Sequence, residues 1–229
     1  MAASRSGNLR IAHAHVCTGN IPRMYTPPGF KIDDPAVIRR IVDDNGFATL
    51  VTPSGDGVQV THLPLLFTPS DDVGVIAGHM AKANDHWQAF DGEAESVAIF
   101  QGPDAYVSPE WYVESGAVPT WNYAVVHMRG PITLIDDPGW LLPHVDEMVE
   151  FHENKALGRS GAEAPDEHKQ QLLRAIMGFQ MQISTIEAKF KLSQNRSKAD
   201  QVSTANNLDQ TGDQGSAEVA ALMREFGSA

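Results

Sequence analysis

The chain has 229 residues, of which 42% are hydrophobic and 20% charged, and these values are typical of a soluble globular protein with one sizeable core. The formal net charge of −12 at pH 7 argues against a large nucleic-acid-binding surface, because phosphate binding needs a basic face. The single cysteine, Cys17, excludes an internal disulfide, and no apolar run reaches the length of a membrane span or a secretory signal. We therefore expect a cytoplasmic protein with no membrane association.

Residues 1–23 have no hydrophobic period and are predicted to form a flexible arm ahead of a domain that begins at Met24. His13, His15 and Cys17 alternate within this arm, with a spacing that a metal or haem-regulatory motif can use. Alternating residues in a mobile tail more often have no ligand, so we favour the interpretation without a site.

The first half of the domain is predicted to contain one helix followed by strands. Asp34 and Pro35 form a helix start, since an acidic cap precedes a residue that is well tolerated at the first helical position. Residues 47–52 and 58–67 are β-rich and flank the turn sequence SGDG, which predicts a hairpin. Residues 73–78 are expected to form a buried strand, and residues 79–90 a connecting helix.

The second half is predicted to contain more strands. Residues 96–101 form one, while residues 120–128 and 131–135 form two that are hinged at Arg129-Gly130. Residues 179–192 form a long strand whose alternation slips at Ser184-Thr185. One extra residue at that point predicts a β-bulge, which would bend the strand round a barrel.

Helices are expected mainly at the periphery. Asp137-Pro138 and Ala164-Pro165-Asp166 are helix starts, and residues 218–226 form a short terminal helix after a polar, flexible stretch over residues 197–215. Consecutive strands with few helices between them indicate an α+β fold, with an antiparallel β-barrel and peripheral helices. We therefore divide the chain into the arm (1–23), a barrel domain (24–196), and a polar linker with its terminal helix (197–229).

The stretch Ile99–His127 holds two of the four tryptophans and three of the four tyrosines. Aromatic rings so close together offer flat surfaces on which a planar ligand can stack, and Trp121 and Tyr123 can add polar edges. An aromatic core seam would also explain this composition. Asn122 and His127 interrupt the apolar run, which shifts the balance towards a site for a planar ligand.

Two histidines are candidate ligand contacts. His62 alternates with Val58 and Val60 on one strand face, and Pro64 places it at a sheet edge or rim. A rim histidine with an apolar approach suits axial ligation of a haem iron, although a hydrogen-bonded core histidine is the commoner outcome. His79 is placed at a strand-to-helix turn, where it can cap the helix or contact a ligand.

A basic cluster lies near the end of the barrel domain, in the sequence AKFKLSQNR. Lys189, Lys191 and Arg196, together with Gln194, would converge on an anionic group from one strand face and the following turn. Phosphate and propionate both fit this description. A solvated sheet edge, with lysines that discourage strand pairing, is an equally good interpretation.

Seven ordered segments resemble the PaiB-like family of FMN-binding negative transcriptional regulators. They are MYTPPGF, FATLVT, THLPLLF, GHMAKAND, IFQGPDAYVSPEWY, VPTWNYAVVH and KFKLSQNR. The resemblance runs from Met24 to about Arg196, and it implies a split β-barrel that forms a homodimer with its cofactor site at the subunit interface.

Some proteins that resemble this chain are haem-dependent piperazate synthases, which cyclise N5-hydroxyornithine by forming an N–N bond without net redox change. Two departures from the family pattern bear on the cofactor. The segment Val113–Ala117 is short and has no lysine, and the usual GKWK is replaced by Ala188-Lys189-Phe190-Lys191. The missing loop lysines weaken a flavin-phosphate site, whereas a haem could still use the remaining cluster.

The resemblance therefore supports two hypotheses. In the first, the protein is an enzyme with haem b, His62 is the axial iron ligand, Tyr123 and Lys191 are the catalytic candidates, and the substrate is a small amino acid. The remaining cofactor-binding candidates are His79, Trp121, Asn122, Lys189, Gln194 and Arg196. In the second, the protein is an FMN-binding PaiB-like regulator without this catalysis. Direct nucleic-acid contact is not expected in either case.

Overall fold

The computed structural model describes residues 23–55, 57–70, 73–158 and 172–227. The strands in these ranges are β1 (Lys31–Ile32), β2 (Phe47–Ser54), β3 (Gly57–Pro64), β4 (Leu66–Thr68), β5 (Val75–Ala81), β6 (Glu95–Val107), β7 (Thr120–Ile135), β8 (Ile176–Gln182) and β9 (Thr185–Lys191). The α-helices that lie wholly in these ranges are α1 (Pro35–Asp44), α2 (Pro138–Leu157), α3 (Lys198–Gln210) and α4 (Gln214–Phe226). Among the described residues, no helix is long and apolar enough to cross a membrane.

The long strand β7 joins two halves of one antiparallel sheet. Its first part pairs with β6 and β9, and its last four residues pair with β8. The wide half has the order β3-β2-β6-β7-β9-β1, and the narrow half has the order β7-β8-β5-β4. At the crossing point, a Cβ atom on Gly130 would lie 1.9 Å from the carbonyl oxygen of Gln182, so only glycine lets the two backbones approach.

One apolar core fills the space between the two halves. It consists of the inward-facing positions of the strands, with α1 and α4 packed against them. Its largest fully buried side chains include three phenylalanines, Phe100, Phe179 and Phe190, which come from β6, β8 and β9. Burial of side chains on alternate positions of these strands leaves the other positions on an outward face.

Several local predictions are confirmed. Asp34 caps α1 by accepting a hydrogen bond from Ala36 N at 2.9 Å, and Pro35 is the first helical residue. Asp137 caps α2 in the same way, through Gly139 N at 3.0 Å. The β2–β3 hairpin is present, and Ser54 pairs with Gly57 at its end. These features depend on interactions between residues that are close together in the chain, so the sequence alone predicts them.

One helix prediction and two strand predictions are wrong in detail. Residues 79–90 do not form a helix, because His79 lies within β5 and only Asp85–Ala89 forms a 3₁₀-helix, which Asn84 caps. The two strands expected on either side of Arg129-Gly130 are one continuous strand, β7. The expected bulge at Ser184-Thr185 is a break between β8 and β9, and the register shift lies in β6, between Gln101 and Asp104.

The prediction of a flexible stretch over residues 197–215 is also wrong, because α3 occupies most of it. Ser197 caps α3, and Ala205 and Leu208 are buried. Asp200 accepts hydrogen bonds from Val113 N at 2.7 Å and from Glu114 N at 3.1 Å, which ties the loop before β7 to this helix. The polar composition of this stretch therefore obscured a helix that packs on the fold through Ala205, Leu208 and Asp200.

Two further predictions fall outside the described residues. They are the arm, apart from Arg23, with its histidines and cysteine, and the helix start at Ala164-Pro165-Asp166. The terminal helix is confirmed, and it begins at Gln214, four residues earlier than expected, because Asp213 caps it through Ser216 N at 2.8 Å.

Candidate functional site

Five strands of the wide half each place one residue in a single row on the face that points away from the core. In an antiparallel pair, directly opposite residues project to the same side of the sheet. The row consists, in strand order, of His62, Thr49, Ile99, His127 and Glu187. We call the outward surface that carries this row the open face. It brings together polar groups that are far apart in the sequence.

Aromatic rings lie at one end of the open face. Trp121 is directly opposite Tyr106, and the two rings meet edge to face with their centroids 6.0 Å apart. The exposed fractions of these two residues are 54% and 46%, respectively. Tyr123 follows along β7 and lies opposite Lys191 of β9. The exposed rings offer flat apolar surface directly beside a cation.

Three cations gather next to these rings. The Lys191 ammonium donates hydrogen bonds to Thr120 Oγ1 at 2.6 Å and to the Trp121 carbonyl oxygen at 2.5 Å. Burial lowers the pKa of Lys191, and the positive charges of Lys189 and Arg196 lower it further. None of the salt bridges within the described ranges involves these three side chains. The cluster therefore has excess positive charge, which favours an anion.

The cations differ in how they are held. The Arg196 guanidinium lies 4.7 Å from the centre of the Tyr112 ring, so its planar group is stacked and oriented. Lys189 is only 8% exposed, and its ammonium donates to the Tyr25 carbonyl oxygen at 2.9 Å. Lys191 and Arg196 are therefore the members of the cluster better placed for an external anion.

A buried ion pair adjoins the middle of the open face. Arg129 Nε donates to Glu187 Oε2 at 2.9 Å, and Met24 N donates to Glu187 Oε1 at 3.2 Å. His127 lies opposite Glu187, and its Nδ1 is buried without a hydrogen-bond partner among the described residues. Burial lowers the pKa of His127, the Arg129 charge lowers it further, and Glu187 acts in the opposite direction. A neutral imidazole with an unused ring nitrogen thus lies within the face.

His62 lies on the edge strand β3, as the proline two residues later predicted. It is exposed, and a 2.9 Å hydrogen bond joins its Nδ1 to Thr49 Oγ1. The flanking Val58 and Val60 are 60% and 51% exposed. Within the described part of the chain, no hydrogen bond to His62 Nε2 is present. One ring nitrogen is therefore fixed, while the other remains able to bind a ligand.

His79 lies elsewhere, on the outward side of the narrow half. Its Nδ1 is 3.2 Å from His144 Nε2 of α2, and the His144 ring stacks on Trp140 with the centroids 4.7 Å apart. Burial, and to a lesser extent His79, lowers the pKa of His144 to about 4. Burial also lowers the pKa of His79. The structure thus does not bring His79 together with His62.

Two other predicted cofactor contacts, Asn122 and Gln194, form hydrogen bonds with other residues of the fold. Asn122 is fully buried and faces the core, where Nδ2 donates to Ser193 Oγ at 3.0 Å and to Met223 Sδ at 3.3 Å. Gln194 closes the turn after β9: its Oε1 accepts from Leu192 N, and its Nε2 donates to the Phe190 carbonyl oxygen, both at 2.7 Å. We therefore do not include Asn122 and Gln194 in the candidate site.

Sequence reasoning placed His127 on one strand face with Trp121 and Tyr123 and favoured a structural role for it, but it did not pair His127 with Glu187. The available signal was the alternation along β7, which puts Tyr123, His127 and Arg129 on the same face as Trp121. Their pairing with Glu187 depends on the register between β7 and β9, which the sequence pattern does not give. No group of three or more potential metal-ligating side chains occurs within the described ranges.

Comparison with known proteins identifies the family. Residues 24–185 match the family described as "Putative FMN-binding domain". The Bacillus subtilis (strain 168) protein "Protease synthase and sporulation protein PAI 2" is 34% identical over 206 residues, which cover 88% of this chain and 97% of that protein. The chain belongs to this PaiB-like FMN-binding family. The family resemblance predicted from the sequence motifs is therefore confirmed.

Solved structures establish the fold class. The FAD and haem binding protein from Mycobacterium smegmatis aligns with a TM-score of 0.50 at 14% identity, covering 70% of this chain and 73% of that one. The flavocytochrome Anf3 from Azotobacter vinelandii aligns with a TM-score of 0.50 at 16% identity, covering 70% and 69%, respectively. At such identities the likeness concerns the fold alone, and the predicted α+β split barrel with peripheral helices is confirmed.

Proposed function

We propose that this protein binds FMN on the open face and functions as a homodimer in which a second copy covers that face. The observation that carries the proposal is the position of the cation cluster. Lys191 donates to the Trp121 carbonyl oxygen, beside the exposed rings of Trp121 and Tyr106, and the charge of Arg196 acts on Lys191. FMN combines a flat ring system with a terminal phosphate, and these two features need an aromatic surface and a cluster of cations, respectively.

The residues of the open face fit the parts of this cofactor. Lys191 and Arg196 supply charged donors for the phosphate, and the Arg196 guanidinium is already oriented by Tyr112. The unpartnered His127 Nδ1 offers a polar contact within a largely apolar surface, as the polar edge of a flavin requires. When bound, a flavin supplies electron or hydride transfer, whereas the protein supplies orientation and exclusion of water.

The proposed homodimer rests on the exposed apolar residues of the wide half. Phe47 is 71% exposed on β2, and Val58 and Val60 are more than half exposed on the neighbouring edge strand β3. An uncovered edge strand with apolar side chains tends to pair or aggregate, so a partner that covers it stabilises the protein. A second copy of the chain would also exclude water from a ligand held on the open face.

The proposed role is that of an FMN-binding PaiB-like regulator. A net charge of −12 argues against a role through direct DNA contact. A visible absorption spectrum of the freshly purified protein tests cofactor identity, and light scattering coupled to size exclusion tests the dimer. Paired flavin bands on a dimer support the proposal. A monomer that takes up no FMN on titration would contradict it.

A second candidate function is favoured by the geometry of His62. Thr49 fixes Nδ1 at 2.9 Å, which leaves Nε2 as the nitrogen for axial ligation of a haem b iron. The iron of such a haem would act as a Lewis acid in the conversion of N5-hydroxyornithine to piperazate. In this alternative, Lys191 and Arg196 hold the propionates, Tyr123 and Lys191 move protons, and the open face holds the substrate amine in position.

The same spectrum distinguishes the two candidates. A Soret band in place of flavin bands would support the haem candidate, and its loss in His62→Ala would support the axial ligand. Thr49→Val, which removes only the hydroxyl, is the matched control for orientation of the ring. Turnover of N5-hydroxyornithine by haem-loaded protein, absent in His62→Ala, would establish the enzyme. A His62→Ala variant with full haem occupancy and an unchanged spectrum would exclude this assignment.

A further inference from the structure

The N-terminal end of the described chain lies across strand β9 on the open face. Met24 N donates to Glu187 Oε1 at 3.2 Å, and the carbonyl oxygen of Tyr25 accepts from the Lys189 ammonium at 2.9 Å. Glu187 and Lys189 are alternate residues of β9 and therefore project to the same side. Two successive backbone groups are thus held by two side chains of one strand. We call Met24-Tyr25 the strap.

The strap fixes the backbone of Tyr25 but leaves its ring uncovered. The residue is 82% exposed, the largest fraction among the exposed large hydrophobic residues of the described chain. The Lys189 ammonium lies 5.5 Å from the centre of the Tyr25 ring and 5.4 Å from that of Tyr123. Lys189 therefore lies near both rings, one from the strap and one from β7, and holds them at one position on the open face.

An ordered backbone that carries an exposed aromatic ring next to a cation suits recognition of a flat, negatively charged ligand. A largely exposed ring has a hydration cost, and no core contact in the described chain offsets it. Because the backbone of Tyr25 is already held, ordering of its ring on binding costs side-chain entropy alone. Both properties favour stacking of a ligand on Tyr25.

We propose that Tyr25 is a ligand-contacting residue that forms an additional aromatic wall of the site on the open face. The inference rests on the proposed binding of FMN, and it adds that the Tyr25 ring stacks on the flat ring system. Lys189 then acts as a positioning residue: it holds the Tyr25 carbonyl oxygen and leaves the phosphate to Lys191 and Arg196.

The test compares Tyr25→Ala and Tyr25→Phe with the wild-type full-length chain, by FMN titration and by iodide quenching of bound flavin. Since one stacked aromatic ring contributes on the order of tenfold in affinity, Tyr25→Ala is expected to bind FMN about tenfold more weakly. Tyr25→Phe keeps the ring and is expected to bind within about twofold of wild type. Iodide should reach the bound flavin more easily in Tyr25→Ala alone, because the Tyr25 ring no longer shields it.

The outcomes separate this inference from the proposed function. If wild type binds FMN and Tyr25→Ala shows the same affinity and the same iodide quenching, the inference is overturned and the proposed function stands. If wild type binds no FMN, both are overturned. Because the Tyr25 side chain is largely exposed, neither variant is expected to affect folding, which circular dichroism would check. Val149→Ala, at an exposed apolar position of α2, serves as the control for loss of surface hydrophobicity.

Discussion

His62 and His79 show how the same strand pattern produces an open surface in one half of the sheet and a packed cluster in the other. Both histidines point outward from a strand, His62 from β3 and His79 from β5. Helix α2 covers the face around His79, whereas the edge strand that carries His62 is exposed. What covers a histidine, rather than its place in the strand, decides whether it is available to a ligand.

The two environments also differ in their electrostatics. In the covered face, the imidazoles of His79 and His144 are partners, and burial keeps both neutral at pH 7 by lowering their pKa values. In the open face, Lys189, Lys191 and Arg196 gather, and none of the salt bridges within the described ranges involves these three side chains. A pair of neutral imidazoles can be buried in a helix–sheet contact at low cost, whereas an excess of positive charge favours binding of an anionic ligand.

The largest effect on stability is expected when the packing of α2 against the narrow half of the sheet is disrupted. A Cβ atom on Gly178 of β8 would lie 2.6 Å from Trp140 Cζ3 and 2.7 Å from Leu141 Cδ2 of α2. Gly178→Ala should therefore push α2 outward and lower the free energy of unfolding by about 3 kcal/mol, as overpacking does. Urea denaturation measures this change. Gly29→Ala, where an added Cβ meets no atom within 4 Å, is the control, and equal stability of the two variants would contradict the expectation.

The next effect concerns the cation cluster of the open face. Lys191→Ala removes a charged donor, and this should weaken FMN binding by about 30-fold, equivalent to about 2 kcal/mol. Flavin fluorescence titration measures the affinity. Lys82→Ala is the matched control, because that ammonium pairs with Asp136 in the narrow half. An unchanged affinity in Lys191→Ala would remove Lys191 from the proposed site.

The stability of the protein should also depend on pH through His79 and His144, where α2 covers the narrow half of the sheet. Because the folded protein holds His79 and His144 with lowered pKa values, protonation favours the unfolded chain. Their contribution to stability is complete above about pH 6.5 and is lost as the pH falls towards 4, with a total on the order of 1–2 kcal/mol.

Unfolding midpoints measured between pH 7 and pH 4 would show this loss. His144→Phe, which keeps an aromatic ring against Trp140, should reduce the slope with pH. Part of the slope should remain, because burial also lowers the pKa values of His86 and His127. A variant that loses stability with acid as steeply as wild type would refute the role of the pair.

The smallest expected effect compares two threonine–histidine hydrogen bonds. Thr49 bonds the exposed His62 at 2.9 Å, and Thr61 bonds the buried His86 at 2.8 Å. Thr49→Val should change the free energy of unfolding by about 0.5 kcal/mol or less, because water replaces the hydroxyl. Thr61→Val should cost about 1–2 kcal/mol, because His86 is left without that partner. Equal costs in urea titrations would show that the open face is not solvated as described.

The sequence by itself determined the caps of α1 and α2, the β2–β3 hairpin, the antiparallel fold class and the family, because each depends on residues close together in the chain or on ordered motifs. It also placed Lys189 and Lys191 on one strand face. Only the tertiary structure decided that Asn122 faces the core, that His79 pairs with His144, and that His62, His127 and Glu187 share one row. Strand register and the position of a covering helix set these relations, and both depend on contacts between residues far apart in the sequence.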